Sequence, residues 1–159
     1  MKDKFTSRIS WREKMEGPQE AKLVPVPPKM SRFGKGMMLI PTPKLVDSII
    51  RKVPRGKLIT VGAIRKKLAA EHGADVTCPL TTGIFIRIAA EAAEEARAKG
   101  AKRITPYWRV VRDNGELNPK FPGGVNRQTR YLRAEGIAVV RDSKNPIVKE
   151  FEERQFFLE

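Results

Sequence analysis

Two helix-length segments, residues 61 to 73 and 78 to 99, are separated by a turn only a few residues long, and this limits the chain to folds built around a tight helical corner. The first should begin after Thr60, with Ile64, Leu68 and Ala69 as its apolar positions, and Gly73 stops it. Thr77 is expected to cap the second, with Pro79 in its first turn and Leu80, Ile84, Ile88, Ala92 and Ala96 as an apolar stripe down its length. This is the spacing of a helix-turn-helix, whose second helix reads a groove while the first braces the backbone; two antiparallel core helices have it too.

The flanks complete an α/β, mainly helical plan. From Pro43, the positions Leu45, Val46, Ile49, Ile50 and Val53 predict an amphipathic helix closed by the turn Pro54-Arg55-Gly56. Beyond Gly100, β-forming residues run from Ile104 to Arg112, and Asn114-Gly115 then signals a small β-hairpin. A helix over residues 126–134 ending at Gly136, a short strand over 137–140 and a final helix from Pro146 to Leu158 follow. At the other end, a short helix over residues 7–16 holds Trp11, and Pro18, Pro25, Pro27 and Pro28 predict an extended arm outside the core. Three parts result: a basic, proline-containing arm (1–36), a central domain (37–140) and a C-terminal helical extension (141–159).

Charge points to the partner. With 32 Lys+Arg against 18 Asp+Glu the net charge is +14, and residues 1–57 alone hold 14 basic and 5 acidic side chains. Such an excess fits a polyanion, above all nucleic acid, with the arm either tracking a phosphate backbone or remaining a solvated tail. Arg65, Lys66 and Lys67 lie on the expected outer side of the first helix. The first turns of the second offer Thr81, Thr82, Arg87 and free amides, whereas Glu91, Glu94 and Glu95 in its later turns would repel phosphates. One cysteine, Cys78, and one histidine, His72, exclude an intramolecular disulfide and a protein-only Cys/His zinc site. No stretch approaches the roughly 18 to 20 apolar residues of a membrane span, and the charged start Met1-Lys2-Asp3-Lys4 has no signal-peptide character. The expectation is a cytoplasmic, monomeric protein, nucleoid-associated in a bacterium, that needs no metal or other cofactor.

Three blocks then occur in a telling order: Val53-Pro54-Arg55-Gly56-Lys57-Leu58-Ile59-Thr60-Val61-Gly62; Pro106-Tyr107-Trp108-Arg109-Val110-Val111; and Gly123-Gly124 through Leu132-Arg133-Ala134-Glu135-Gly136. Across residues 37 to 138 this resembles the DNA-binding domain of the O6-alkylguanine-DNA alkyltransferases, with a longer insertion before the Pro-Tyr-Trp-Arg-Val run. The resemblance implies an alkyltransferase C-terminal-type domain with a winged-helix-like helix-turn-helix whose second helix meets the minor groove. In the family, Pro-Cys-His-Arg-Val carries a nucleophilic cysteine, a histidine base and, before a glycine, a glutamate that orients the histidine. Tyr107, Trp108 and Glu135 stand at those positions, and Arg109 matches the motif arginine. A phenol with an ordinary pKa near 10 is a poor substitute for a thiolate, so the pattern is similar to the alkyltransferase-like proteins, which bind alkylated DNA without repairing it and recruit other repair factors.

Two readings of the pocket are open. In one, Tyr107, Trp108, Arg109 and Glu135 receive a flipped base; in the other, the aromatics plug the vacated space and Glu135 pairs inside the fold. Val61 replaces the family's phosphate-rotating tyrosine, and Leu80 falls where the arginine that fills the gap in the base stack is expected, an exchange that suits an apolar wedge. The candidate duplex-contacting set is therefore Arg65, Lys66, Lys67, Leu80, Thr81, Thr82 and Arg87. Cys78, at a helix N-terminus, is the alternative nucleophile of a relocated transfer reaction, and an architectural DNA- or RNA-binding protein without lesion recognition is the other alternative.

Overall fold

The computed structural model describes residues 9–17, 20–141 and 144–158. Ser7, at the expected start of the first helix, lies outside them. In chain order come helix α1 (Trp11–Glu16), strand β1 (Lys22–Pro25), a 3₁₀ turn (Pro28–Phe33), β2 (Met37–Ile40), α2 (Pro43–Arg51), β3 (Ile59–Thr60), α3 (Val61–Glu71) and β4 (Val76–Thr77). Helix α4 (Pro79–Ala98), a 3₁₀ turn (Tyr107–Arg109), β5 (Val110–Val111), α5 (Gly124–Ala134), β6 (Val139–Val140), β7 (Ile147–Val148) and α6 (Phe151–Arg154) follow. Among the described residues no helix is long and apolar enough to cross a membrane.

Local chemistry sets the helix starts. The Thr42 side chain accepts the Leu45 amide at 3.2 Å to open α2, and Thr60 accepts Ala63 at 3.1 Å to open α3. Val46, Ile49 and Ile50 of α2 and Ile64 and Leu68 of α3 are buried against α4, forming the main core with Tyr107, Val110 and Phe121. Helix α4 differs from expectation in two respects. Its N-cap is Cys78, without a side-chain cap, while Thr77 donates its hydroxyl to the Arg65 carbonyl at 2.8 Å and so ties α4 to α3. Its buried face is Thr82, Phe85, Ile86, Ala89, Ala90 and Ala93, which leaves Leu80 68% and Ile84 57% exposed. The helix is apolar on two sides, and periodicity alone selects neither.

Three small sheets brace the helices. β2 lies between β1, antiparallel to it with Leu23 opposite Leu39, and β4, parallel with Leu39 opposite Thr77. The stretch expected to be a separate arm thus supplies an edge strand, and its Met15 and Ala21 pack on the main core. At that edge Pro25 costs no ladder bond. A second pair, β3 and β5, runs parallel with Ile59 opposite Val110 and brings the start of α3 beside the Pro106–Val110 run.

The expected hairpin around Asn114-Gly115 keeps only its turn. The Gly115 amide donates to the Arg112 carbonyl at 2.8 Å, but β5 pairs with β3, and Glu116 bridges to Ile147. Gly115, at φ 90°, lies so close to the Phe151 ring that a Cβ would sit 2.6 Å from it. The antiparallel two-strand unit forms instead from β6 and β7. The long C-terminal helix is accordingly replaced by β7, the one-turn α6 and a return segment in which Phe156 donates its amide to Leu58 at 2.7 Å. Ile147 and Val148 are β-branched and the exposed backbone of β6 and Leu58 needs partners, so pairing outweighs local helix propensity.

Candidate nucleic-acid interface

The first half of α4 forms one wall of an open groove of about 600 Å³. Leu80, Ile84 and Arg87 project into it, Arg112 and Lys120 face them from the segment after β5, and α1 closes one end. Arg87 reaches Glu91 only at 4.0 Å and is half exposed, which leaves its guanidinium available to solvent-side anions. Among the candidate contacts named from sequence, the groove brings Leu80 and Arg87 together. Thr81 is half-buried, and Thr82 is fully buried with its hydroxyl donating to the Cys78 carbonyl at 2.7 Å, so Thr82 offers nothing to a ligand.

The basic triplet of α3 is divided by its surroundings. Lys66 is exposed, Lys67 pairs with Glu71 at 3.4 Å, and Arg65 is half-buried with its Nε enclosed and without a hydrogen-bond partner. None of the three lines the groove of α4. At the start of α3, the Gly62 amide donates to the Asp113 carboxylate at 2.7 Å, so an internal anion already occupies that helix end. Arg112 and Lys120 are the contributions that sequence spacing missed; only the turn between them and α4, closed in three dimensions, reveals them.

In the Pro106–Val110 run, Pro106, Tyr107 and Val110 are buried and Trp108 and Arg109 half-buried. Tyr107 is 0% exposed, and its hydroxyl donates to Glu94 at 2.6 Å, while Tyr131 donates to the same oxygen at 3.0 Å and Arg97 to the other at 2.7 Å. The Tyr107 ring meets Trp108, Phe121 and Tyr131 edge-on, with centroids 5.3 to 6.3 Å away. Burial, reinforced by the Glu94 carboxylate, pushes the Tyr107 phenol far above its ordinary value, so it is a neutral donor. Burial also pushes Glu94 upward, but hydrogen bonds from Tyr107, Arg97 and Tyr131 outweigh it and hold the carboxyl below its usual range. Glu94, read from sequence as a surface charge, is in fact the buried acceptor of this cluster.

Glu135 is a second hub. Trp108 Nε1 donates to it at 2.6 Å, Arg109 grips it through Nε and Nη2 with a contact at 2.8 Å, and the Gly56 amide donates at 2.9 Å. Burial raises its pKa, yet Arg109, Gly56 and Trp108 together bring it below the ordinary value. Arg109 also donates to the Val53 carbonyl at 2.7 Å, so the Val53–Gly56 turn, the motif and the end of α5 are one locked unit. Gln128, fully buried, donates to the Trp108 and Val110 carbonyls at 3.1 and 3.0 Å and was not foreseen as a site residue. A small pocket of about 40 Å³ lies between Val61, Gly83, Ile86, Val110 and Phe121.

Cys78 lies elsewhere, buried between Met30 and Met38 in a satellite cluster separate from the one holding Tyr107. Among the described residues no group of three His, Cys, Asp or Glu side chains is arranged to hold a metal ion.

Residues 41–137 match the family model described as 6-O-methylguanine DNA methyltransferase, DNA binding domain. Among solved structures, the chain is similar to S. pombe Atl1 in complex with damaged DNA containing O6-carboxymethylguanine, at 19% identity and a TM-score of 0.50, covering 72% of this chain and 93% of that one. It is also similar to S. pombe ATL in complex with DNA, at 19% identity and a TM-score of 0.46 over the same shares of the two chains. No curated protein matches the chain.

Proposed function

Because the chain belongs to the family of the 6-O-methylguanine DNA methyltransferase DNA-binding domain, we propose that it is a duplex-DNA-binding protein of alkylation-damage repair that transfers no alkyl group. The observation that carries this reading is Tyr107: the side chain that the sequence resemblance aligns with the family's nucleophile is a buried, neutral phenol committed to Glu94. Transfer to a side chain needs an accessible, ionisable nucleophile within reach of the alkyl carbon. Tyr107 fails both conditions, and Cys78 is enclosed among methionines in another cluster. That S. pombe Atl1 was crystallised on damaged DNA supports the choice of ligand.

Binding would proceed from the groove of α4. Arg87, Arg112 and Lys120 meet phosphates there, exposed Lys66 meets them outside the groove, and each contact releases condensed counterions. Exposed Leu80 stands at the start of α4 as an apolar wedge for a base step, a role open to aliphatic side chains where no hydrogen bond to an orphaned base is required. Tyr107 and Phe121, buried and in edge-on contact, fill the space beside the motif, and this favours recognition without insertion of a flipped base behind α4. Monomeric action in the cytoplasm and recruitment of further repair factors belong to the same proposal.

A fluorescence-anisotropy titration with a plain duplex at two salt concentrations tests it. The expected result is tight binding that weakens steeply with salt, and a salt slope smaller by about 1 in Arg87→Ala, as removal of one phosphate contact requires. Salt-independent binding, or none, would remove the interface from α4.

A further inference from the structure

The groove of α4 contains more than phosphate chemistry. Leu80 and Ile84 stand on one wall with most of their surface in water, beside Arg87. Trp11 of α1 lines the same groove, and the Lys14 ammonium lies 4.0 Å from the centroid of its indole ring. This placement is anchored: the Trp11 and Arg12 amides donate to the Glu95 carboxylate of α4 at 3.1 and 3.3 Å, and Ser10 caps α1 by accepting the Glu13 amide at 3.1 Å. A fixed indole, two bare aliphatic side chains and several cations therefore share one open cleft of about 600 Å³.

Paired duplex DNA can engage Leu80 as a wedge at a base step but offers no open base face to Trp11, because its bases are stacked on each other. An unpaired base needs that surface, since it brings an apolar face and a phosphate together, and aromatic platforms bordered by cations are how proteins hold such strands. The space behind α4 is closed to a base by Tyr107 and Phe121, 0% and 3% exposed. We propose that the outer groove between α1 and α4 is a binding site for an unpaired nucleobase of DNA, with the base against Trp11 and the Leu80–Ile84 wall and its phosphates on Arg87 and Lys120. The proposal rests on the DNA-binding reading above and adds to it α1, which lies outside the family-matched residues 41–137.

The test compares three DNAs of one sequence at one salt concentration: a fully paired duplex, the duplex with one central bulged adenine, and the duplex with an abasic bulge at the same place. The bulged adenine is expected to bind roughly 5- to 100-fold more tightly than the paired duplex, the range of a base–aromatic stack, and the abasic bulge to bind like the paired duplex. Tryptophan emission should be quenched by the bulged adenine alone, and Trp11→Ala should lose both the quenching and the preference. Leu80→Ser and Ile84→Ser, at exposed positions, should each reduce the preference and serve should Trp11→Ala fail to fold. Equal binding of adenine and abasic bulges, or a preference that survives in Trp11→Ala, overturns the proposal while duplex binding stands. Failure of all three DNAs to bind overturns both the proposal and the reading beneath it.

Discussion

Two carboxylates organise the centre of this protein at the level of single residues. Glu94 collects the phenols of Tyr107 and Tyr131, and Glu135 collects Trp108, Arg109 and the Gly56 amide. Removing one donor should weaken the fold but not the interface: Tyr107→Phe is expected to cost about 1.5 to 3 kcal/mol in urea unfolding, the scale of a hydrogen bond to a charged group, with unchanged duplex affinity. A large loss of affinity would instead place Tyr107 in contact with DNA. Both carboxyl pKa values are held below 4.5 in the folded chain. The unfolded state then binds more protons in acid, so this stabilisation is present above about pH 4.5 and is lost as pH falls through the folded values. Urea midpoints measured between pH 7 and pH 3 should show that fall, and Glu135→Gln should flatten part of it. The motif residues themselves were legible in sequence through their order and spacing. Glu135 was named with them, but Glu94 was not, because it lies thirteen residues upstream of Tyr107 on another helix and resembled any surface charge of a Glu-rich turn.

The elements that sequence located well are those with local punctuation. Threonine caps opened α2 and α3, and Gly136 with its left-handed backbone ended α5. Where the determining contact was non-local, expectation and structure part. The rotation of α4 depends on which of two apolar faces meets α2, and the proline-rich N-terminal stretch becomes a strand only because β2 offers an edge. Ile147 and Val148 likewise turn from helix to strand because β6 is beside them. The exposure of Leu80 and Ile84 has a stability consequence. Leu80→Ala should change unfolding free energy by less than about 0.5 kcal/mol, as surface substitutions do, whereas Phe85→Ala, buried one helical turn on, should cost about 3 to 5 kcal/mol. The reverse ranking, read from chemical denaturation, would restore the stripe that periodicity suggested.

For the whole molecule, the charge of +14 and the family-matched region give one picture: a small basic protein with the family's DNA-binding domain, in which Tyr107 is fully buried. The three ordered sequence blocks made the family readable from the start. The choice between an open and a plugged pocket was not readable, since it depends on how Tyr107 and Phe121 meet in space. The most direct test is to incubate the purified protein with an excess of duplex carrying O6-methylguanine, record its intact mass, and titrate the same duplex and its unmodified twin by anisotropy at fixed salt. Unchanged mass is expected, with salt-sensitive affinities for the two duplexes within about two-fold of each other, because phosphate contacts do not distinguish them. A mass gain of one methyl group would show that a nucleophile is accessible after all and would contradict the account.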